Sequence, residues 1–122
     1  MYSDPNSVKR IASLGAGPIG GGWTAHFLAR GYDVTAYLHD ESETSSFMSI
    51  LKTAWVSLTE LGLARDASME RLRLVTDLEE ALDGAEFVQE SGPERLEVKQ
   101  ELYSEMGKIL PPSIIIGSST SG

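Results

Sequence analysis

The stretch that decides the fold runs from Arg10 to Trp23, RIASLGAGPIGGGW. Arg10 to Leu14 reads as a short buried strand that runs straight into Gly15. Pro18 to Arg30 reads as a helix. Proline suits its first turn, where the missing N–H is not needed, and Gly31 suits the position just past its end. Between strand and helix lies Gly15-Ala16-Gly17-Pro18-Ile19-Gly20, a G-x-G-x-x-G loop. Such a loop acquires meaning from a strand before it and a helix after it. Each glycine then has a physical task. Gly15 permits the tight turn. Gly17 lets a pyrophosphate approach the backbone without meeting a Cβ. Gly20 lets the helix pack closely on the strand. The helix N-terminus adds N–H donors and partial positive charge for phosphates. Gly21 and Gly22 extend the run into the helix, where each costs about 1 kcal/mol relative to alanine. Close packing against another element would account for them.

Outward from this unit, strands and helices alternate. Asp33–Leu38 is a second strand. Phe47, Ile50, Leu51, Ala54, Trp55, Leu58 and Leu61 recur at three- and four-residue steps, which puts them on one face of a long helix closed by Gly62. The stretch from Glu41 to Arg71 reads as two helices and is the one long excursion. Leu72–Val75 is a third strand. Thr76 to Glu80 offers a helix start with acids in its first turn, and that short helix ends near Gly84. Ala85–Gln89 is a fourth strand. Pro93–Leu110 is a helix with Leu96, Leu102, Tyr103, Met106 and Leu110 on its apolar face, stopped by Pro111 and Pro112. Ser113–Gly117 is a fifth strand. The alternation predicts an α/β, Rossmann-type doubly wound parallel sheet of five strands in three layers, with right-handed connections.

Composition narrows the function. Ten Lys and Arg against 18 Asp and Glu leave a net charge of −8 across 122 residues. That opposes nucleic-acid binding as a main task. The absence of cysteine removes disulfides, thiol catalysis and Cys-ligated zinc, and two histidines leave little for a metal site, so no metal is expected. No apolar run approaches the ~20 residues of a membrane span, and the first ten residues lack the apolar core of a signal peptide. A soluble, cytoplasmic domain is expected. The chain stops just after an apolar run and a small-residue loop, IIIGSSTSG, which points to a piece of a longer protein.

A nicotinamide dinucleotide site has an acid roughly 20 residues beyond the loop, at the end of the second strand, for the adenosine ribose. Leu38 stands where the strand should end and cannot accept a hydrogen bond. Asp40 follows two residues later and reaches the ribose if the loop turns back; a solvated acid in the run HDESE is the competing reading. His39 has no Arg or Lys beside it, so NAD is favoured over NADP.

Four stretches in order, LGAGPIGGGW, ARGYDVTAY, VTDLEEALDGAEFVQESGPERLEVKQELY and IIIGSSTSG, together resemble the N-terminal domain of the 3-hydroxyacyl-CoA dehydrogenase family over residues 9 to 122. Within it, FVQESGPER and SSTSG are most similar to the branch that oxidises L-carnitine, with the λ-crystallin-like L-gulonate dehydrogenases next. The acyl-CoA members usually carry Asn where this chain has Ser119. The resemblance implies NAD-dependent oxidation of a secondary alcohol in a 3-hydroxy substrate by a full-length protein that forms a homodimer; the charge balance and the short apolar runs imply no nucleic-acid or membrane partner. It places Gly15, Gly17, Pro18, Ile19 and Gly20 at the pyrophosphate. It places Ser91, Glu94 and Lys99 near the ribose and nicotinamide end, and Ser121 on the substrate oxygen. It also sets Leu38 against the family's ribose-binding Asp. The family's catalytic His, in an HxxNP-like motif, falls beyond Gly122, with the helical substrate domain.

Plainer readings stand beside these. Ser91 and Glu94 have capping-box spacing. Lys99, between Glu97 and Glu101, reads also as a surface charge. The Ser118–Ser121 run reads also as a polar turn, although the carboxyl ends of parallel strands are where ligands bind. His26 reads as a packing residue and His39 as a surface one; Trp55 reads as core. In the long excursion Lys52 stands nearly alone before Arg65, which favours a small substrate over a CoA thioester. Two further possibilities are a free-standing dinucleotide-binding or sensor module and a glycine loop for FAD or S-adenosylmethionine.

Overall fold

The computed structural model describes residues 9–15, 17–65, 67–91 and 96–118. Five strands form one parallel sheet in the order β3-β2-β1-β4-β5. They are β1 (Arg10–Leu14), β2 (Asp33–Tyr37), β3 (Leu72–Val75), β4 (Phe87–Glu90) and β5 (Ile115–Ser118). Four helices connect them: α1 (Pro18–Ala29), α2 (Thr44–Leu61), α3 (Leu78–Leu82) and α4 (Leu96–Ile109). The strand order reverses at β1, with β2 and β3 on one side and β4 and β5 on the other.

The buried strand residues form two cores, one on each face of the sheet, with β2 and β3 contributing alternate residues to both. On one face Val34 and Ala36, with Leu38 just past the strand end, pack against Ala25 and Leu28 of α1 and Phe47 and Leu51 of α2. On the other face Ala12, Leu14, Val75 and Val88 pack against Ala81 and Leu82 of α3 and Met106 of α4. The layers are therefore α1 and α2, the sheet, then α3 and α4.

Several expected boundaries move, each for a local reason. The second strand ends at Tyr37, and Leu38 closes it by donating its N–H to the Val75 carbonyl at 2.9 Å. The fourth strand starts at Phe87, because the Ala85 N–H closes the turn onto Leu82 and the Glu86 N–H bonds the Arg10 carbonyl. The fifth starts at Ile115, because Ile114 is bonded back to Pro111 in a turn. Among its described residues the excursion from Glu41 to Arg71 holds one long helix, α2, rather than two. Among the described residues between Gly62 and Leu72, helix is limited to a 3-10 turn, Met69–Arg71. Leu61 is 84% exposed: the chain turns at Gly62, and the Ala64 N–H ties it to the end of α1 through the Ala29 carbonyl. Trp55 is half-buried against the α1–α2 core.

Candidate functional site

Strand register assembles the site. Across the carboxyl ends of the strands, Val75, Tyr37, Leu14, Glu90 and Ser118 stand side by side. Gly15 follows Leu14 at the middle of this crest, where the strand order reverses. In an open parallel sheet that is where a ligand binds.

The glycine loop leaves the crest with Gly15 at φ 130°, a backbone region that side chains disfavour. Gly17 then caps α1 without a side chain, and the first helical bond runs from the Gly21 N–H to the Gly17 carbonyl at 2.9 Å. No acid lies in the first turn and no side chain caps it. Proline at the first helical position removes one donor, so the N–H groups of the turn's remaining residues face outward with the positive end of the helix dipole. A Cβ built on Gly17 meets no atom within 4 Å, whereas one built on Gly20 collides with the Gly15 carbonyl. The two glycines therefore do different things. Gly20 allows the helix to lie against the loop, and Gly17 leaves open space before the helix N-terminus. This cradle fits a pyrophosphate. Beneath it, Thr24 Oγ1 lies 2.8 Å from the Gly20 carbonyl and 2.8 Å from Ser13 Oγ, all buried. Thr24 donates to the carbonyl, and Ser13 donates back to Thr24. That pair ties α1 to β1.

Gly21 and Gly22 separate in the same way. A Cβ on Gly21 would come within 2.5 Å of Ile50 Cγ2, so α1 and α2 approach closely there. A Cβ on Gly22 meets nothing within 4 Å. Gly22 lies on the outer side of α1 with Pro18, Ile19, Trp23 and His26, which line a surface depression. His26 packs edge-on to Trp23 with ring centroids 5.8 Å apart. It stands about 12 Å along the helix from Pro18.

On the β2 side, Leu38 is 1% exposed and belongs to the α1–α2 core. Asp40 caps the 3-10 turn Glu41–Glu43: its Oδ1 accepts from the Ser42 N–H at 2.9 Å, and Glu43 Oε1 accepts from the Asp40 N–H at 3.2 Å. This capping box was readable in Asp40-Glu41-Ser42-Glu43, an acid followed three residues later by glutamate. His39 is exposed. Tyr37 sits beside the glycine loop on the α3 face. Partial burial, then the negative charges of Asp77 and Glu43, raise its phenol pKa above the ordinary value. The pairing of Tyr37 with Val75 brings Asp77, two residues past β3, to the end of β2, a proximity that no local pattern in the sequence shows.

On the β4 side, Ser91 is buried and its N–H bonds the Leu14 carbonyl at 2.7 Å, which holds the β4 end against the glycine loop. Glu90 is fully buried and accepts a hydrogen bond from the Tyr103 hydroxyl of α4 at 3.2 Å. Its signal in the sequence was a charged residue closing an apolar strand. Lys99 lies on α4. Glu94 and Ser121 lie outside the described residues. Among the described residues, no group of three His, Asp or Glu side chains is placed to hold a metal ion. None of their helices is long and apolar enough to cross a membrane.

Known proteins share this arrangement. Residues 10–122 match the family model of the 3-hydroxyacyl-CoA dehydrogenase NAD-binding domain. The chain is 48% identical to an L-carnitine dehydrogenase of Streptomyces coelicolor over 98% of its own length and 38% of that protein's. It is 43% identical to an L-carnitine dehydrogenase of Pseudomonas aeruginosa over 94% of its own length and 36% of that protein's. Among solved structures, an NAD+-dependent 5-formyl-3-hydroxy-2-methylpyridine 4-carboxylic acid 5-dehydrogenase superposes with a TM-score of 0.84 at 30% identity, over 94% of this chain and 38% of that one. The 3-hydroxybutyryl-CoA dehydrogenase of Escherichia coli superposes at 0.80 and 28% identity, over 94% and 25%. The chain thus spans little more than a third of the curated relatives it matches. With the glycine cradle, the crest and the family match in agreement, the chain belongs to the 3-hydroxyacyl-CoA dehydrogenase family as an NAD-binding domain.

Proposed function

We propose that the chain is the cofactor-binding part of an NAD-dependent L-carnitine dehydrogenase, a cytoplasmic homodimer that oxidises a secondary alcohol at the 3-position. The observation that carries the reading is the 48% identity to L-carnitine dehydrogenases over nearly the whole chain. NAD, when bound, supplies the hydride acceptor for the carbinol carbon. The chain's own residues bind and orient. Gly15, Gly17, Pro18, Ile19 and Gly20 hold the pyrophosphate at the α1 N-terminus. Ser91, Glu94 and Lys99 flank the ribose and nicotinamide end, and Ser121 holds the substrate oxygen. Asp40 lies at the ribose end of the same cradle, near the position where Leu38 offers no acceptor. The hydroxyl proton goes to a histidine beyond Gly122, in the part of the relatives' length that this chain does not span. An acidic domain whose long excursion carries few cations suits the quaternary ammonium group of carnitine better than the phosphates of CoA.

The test is an assay of the full-length protein for NAD reduction with L-carnitine, L-gulonate and 3-hydroxybutyryl-CoA. Turnover with L-carnitine above the others is expected. Turnover with another of the three moves the substrate and leaves the family reading in place. The isolated 122-residue chain is expected to bind the dinucleotide without turnover. A reading frame that ends at Gly122 would favour a free-standing binding module.

A further inference from the structure

We propose that Glu43 and Asp77, which follow the carboxyl ends of the paired strands β2 and β3, set selectivity for NAD over NADP by repelling a 2′-phosphate. The inference rests on the proposed NAD site and names what discriminates there. A pyrophosphate at the α1 N-terminus puts the adenosine half over the end of β2. The acid that would bind the ribose hydroxyls in such sites is replaced by Leu38, whose side chain is in the core. Selectivity then has to come from elsewhere.

The register supplies the place. Tyr37 pairs with Leu14 on one side and Val75 on the other, so the glycine loop, the β2 end and the β3 end are neighbours. Glu43 closes the 3-10 turn that follows β2, with its Oε1 on the Asp40 N–H, and Asp77 caps α3 two residues after β3. Burial first, then the charges of Asp77 and Glu43, raise the Tyr37 phenol pKa, in keeping with negative charge at this corner. Residues 38–44 contain no Lys or Arg. The cation of β3, Arg73, pairs with Glu80 at 3.4 Å. A 2′-phosphate would bring up to two further negative charges to this corner.

The two carboxylates also have local structural work, and amides preserve it. Glu43 Oε1 accepts from the Asp40 N–H, and Asp77 Oδ2 accepts from the Glu80 N–H at 3.4 Å. Glu43→Gln and Asp77→Asn keep an acceptor oxygen and remove the charge. Asn is also a good helix cap.

The experiment is a calorimetric titration of the chain with NADH and with NADPH at low salt. It compares wild type, Glu43→Gln, Asp77→Asn, the double variant, Tyr37→Phe and Asp40→Asn, with a thermal melt of each. Wild type is expected to prefer NADH. The NADPH-to-NADH ratio of Kd values is expected to fall about threefold in each single charge variant and about tenfold in the double, with the effect shrinking as salt rises. NADH affinity should stay within about twofold, and Tyr37→Phe should leave the ratio intact. A double variant that melts like wild type and keeps its ratio overturns the proposal. So does a ratio that moves only with Asp40→Asn, or a wild type that prefers NADPH. A wild type that binds neither dinucleotide overturns the NAD reading itself.

Discussion

Gly20 of α1 lies so close against Gly15 of the loop that a Cβ on residue 20 would collide with the Gly15 carbonyl. The obstacle is backbone, and it cannot rotate away. Gly20→Ala should therefore separate helix from strand and strain the Thr24–Ser13 link below. We expect a loss of roughly 1–3 kcal/mol, as for other overpacked sites, read as a lower midpoint in denaturant. An unchanged midpoint would mean that the helix does not rest on the loop.

Gly21 and Gly22 should respond in opposite ways to the same change. Alanine at either gains helix propensity worth about 1 kcal/mol. At Gly22 nothing opposes that gain, so Gly22→Ala should raise the melting temperature. At Gly21 the new methyl meets Ile50 Cγ2, so Gly21→Ala should bring no gain or a loss. Thermal melts of the two variants read the difference directly.

Leu38→Asp introduces the acid that the family resemblance sets at this position. Here Leu38 is 1% exposed among Val34, Ala36, Phe47 and Leu51. Replacing it removes apolar packing and brings a carboxylate to the core. The ligand-free variant should be less stable by about 3 kcal/mol or more. Equal stability would mean that the side chain at residue 38 sits outside the core.

Tyr37 makes a prediction about alkaline stability. Its folded pKa is raised, first by burial and then by Asp77 and Glu43, above the ordinary value of 10.0. Between the unfolded and folded values the folded chain keeps a proton that the unfolded chain has lost, so stability falls as pH rises through that window. The stabilisation is fully present below the unfolded value. Tyr37→Phe should flatten the decline above pH 10 that wild type shows. Parallel stability curves for the two proteins in that range would contradict the account.

Much of the fold is legible in the chain because strand and helix periods differ and glycine and proline punctuate them. β1 at Arg10–Leu14, β3 at Leu72–Val75 and the start of α1 at Pro18 follow directly from those signals. Boundaries set by contacts between distant segments do not. Residues 85 and 86 read as strand but serve the turn, where the Glu86 side chain accepts the N–H groups of Lys9 and Arg10 at 3.0 Å. Leu61 keeps the helical repeat of its stripe, yet the chain turns at Gly62 and leaves it exposed. The same division holds at the site. The cradle is local, so Gly15, Gly17 and Gly20 could be assigned separate tasks from spacing. The Tyr37–Glu43–Asp77 corner and the Glu90–Tyr103 bond depend on which strands are neighbours, and that information is not local.

The most direct test of the cradle is a calorimetric titration of the chain and of Gly17→Ala with NADH. The Gly17 backbone, at φ −82°, accepts alanine, and its Cβ would meet no protein atom. The fold should therefore survive with an unchanged melting temperature. The methyl would occupy the space before the helix N-terminus that the proposal assigns to the pyrophosphate. We predict one NADH per wild-type chain and an affinity at least about tenfold weaker in the variant, or roughly 1.4 kcal/mol. Equal NADH affinity in the two proteins would contradict the assignment of the α1 N-terminus as the dinucleotide cradle.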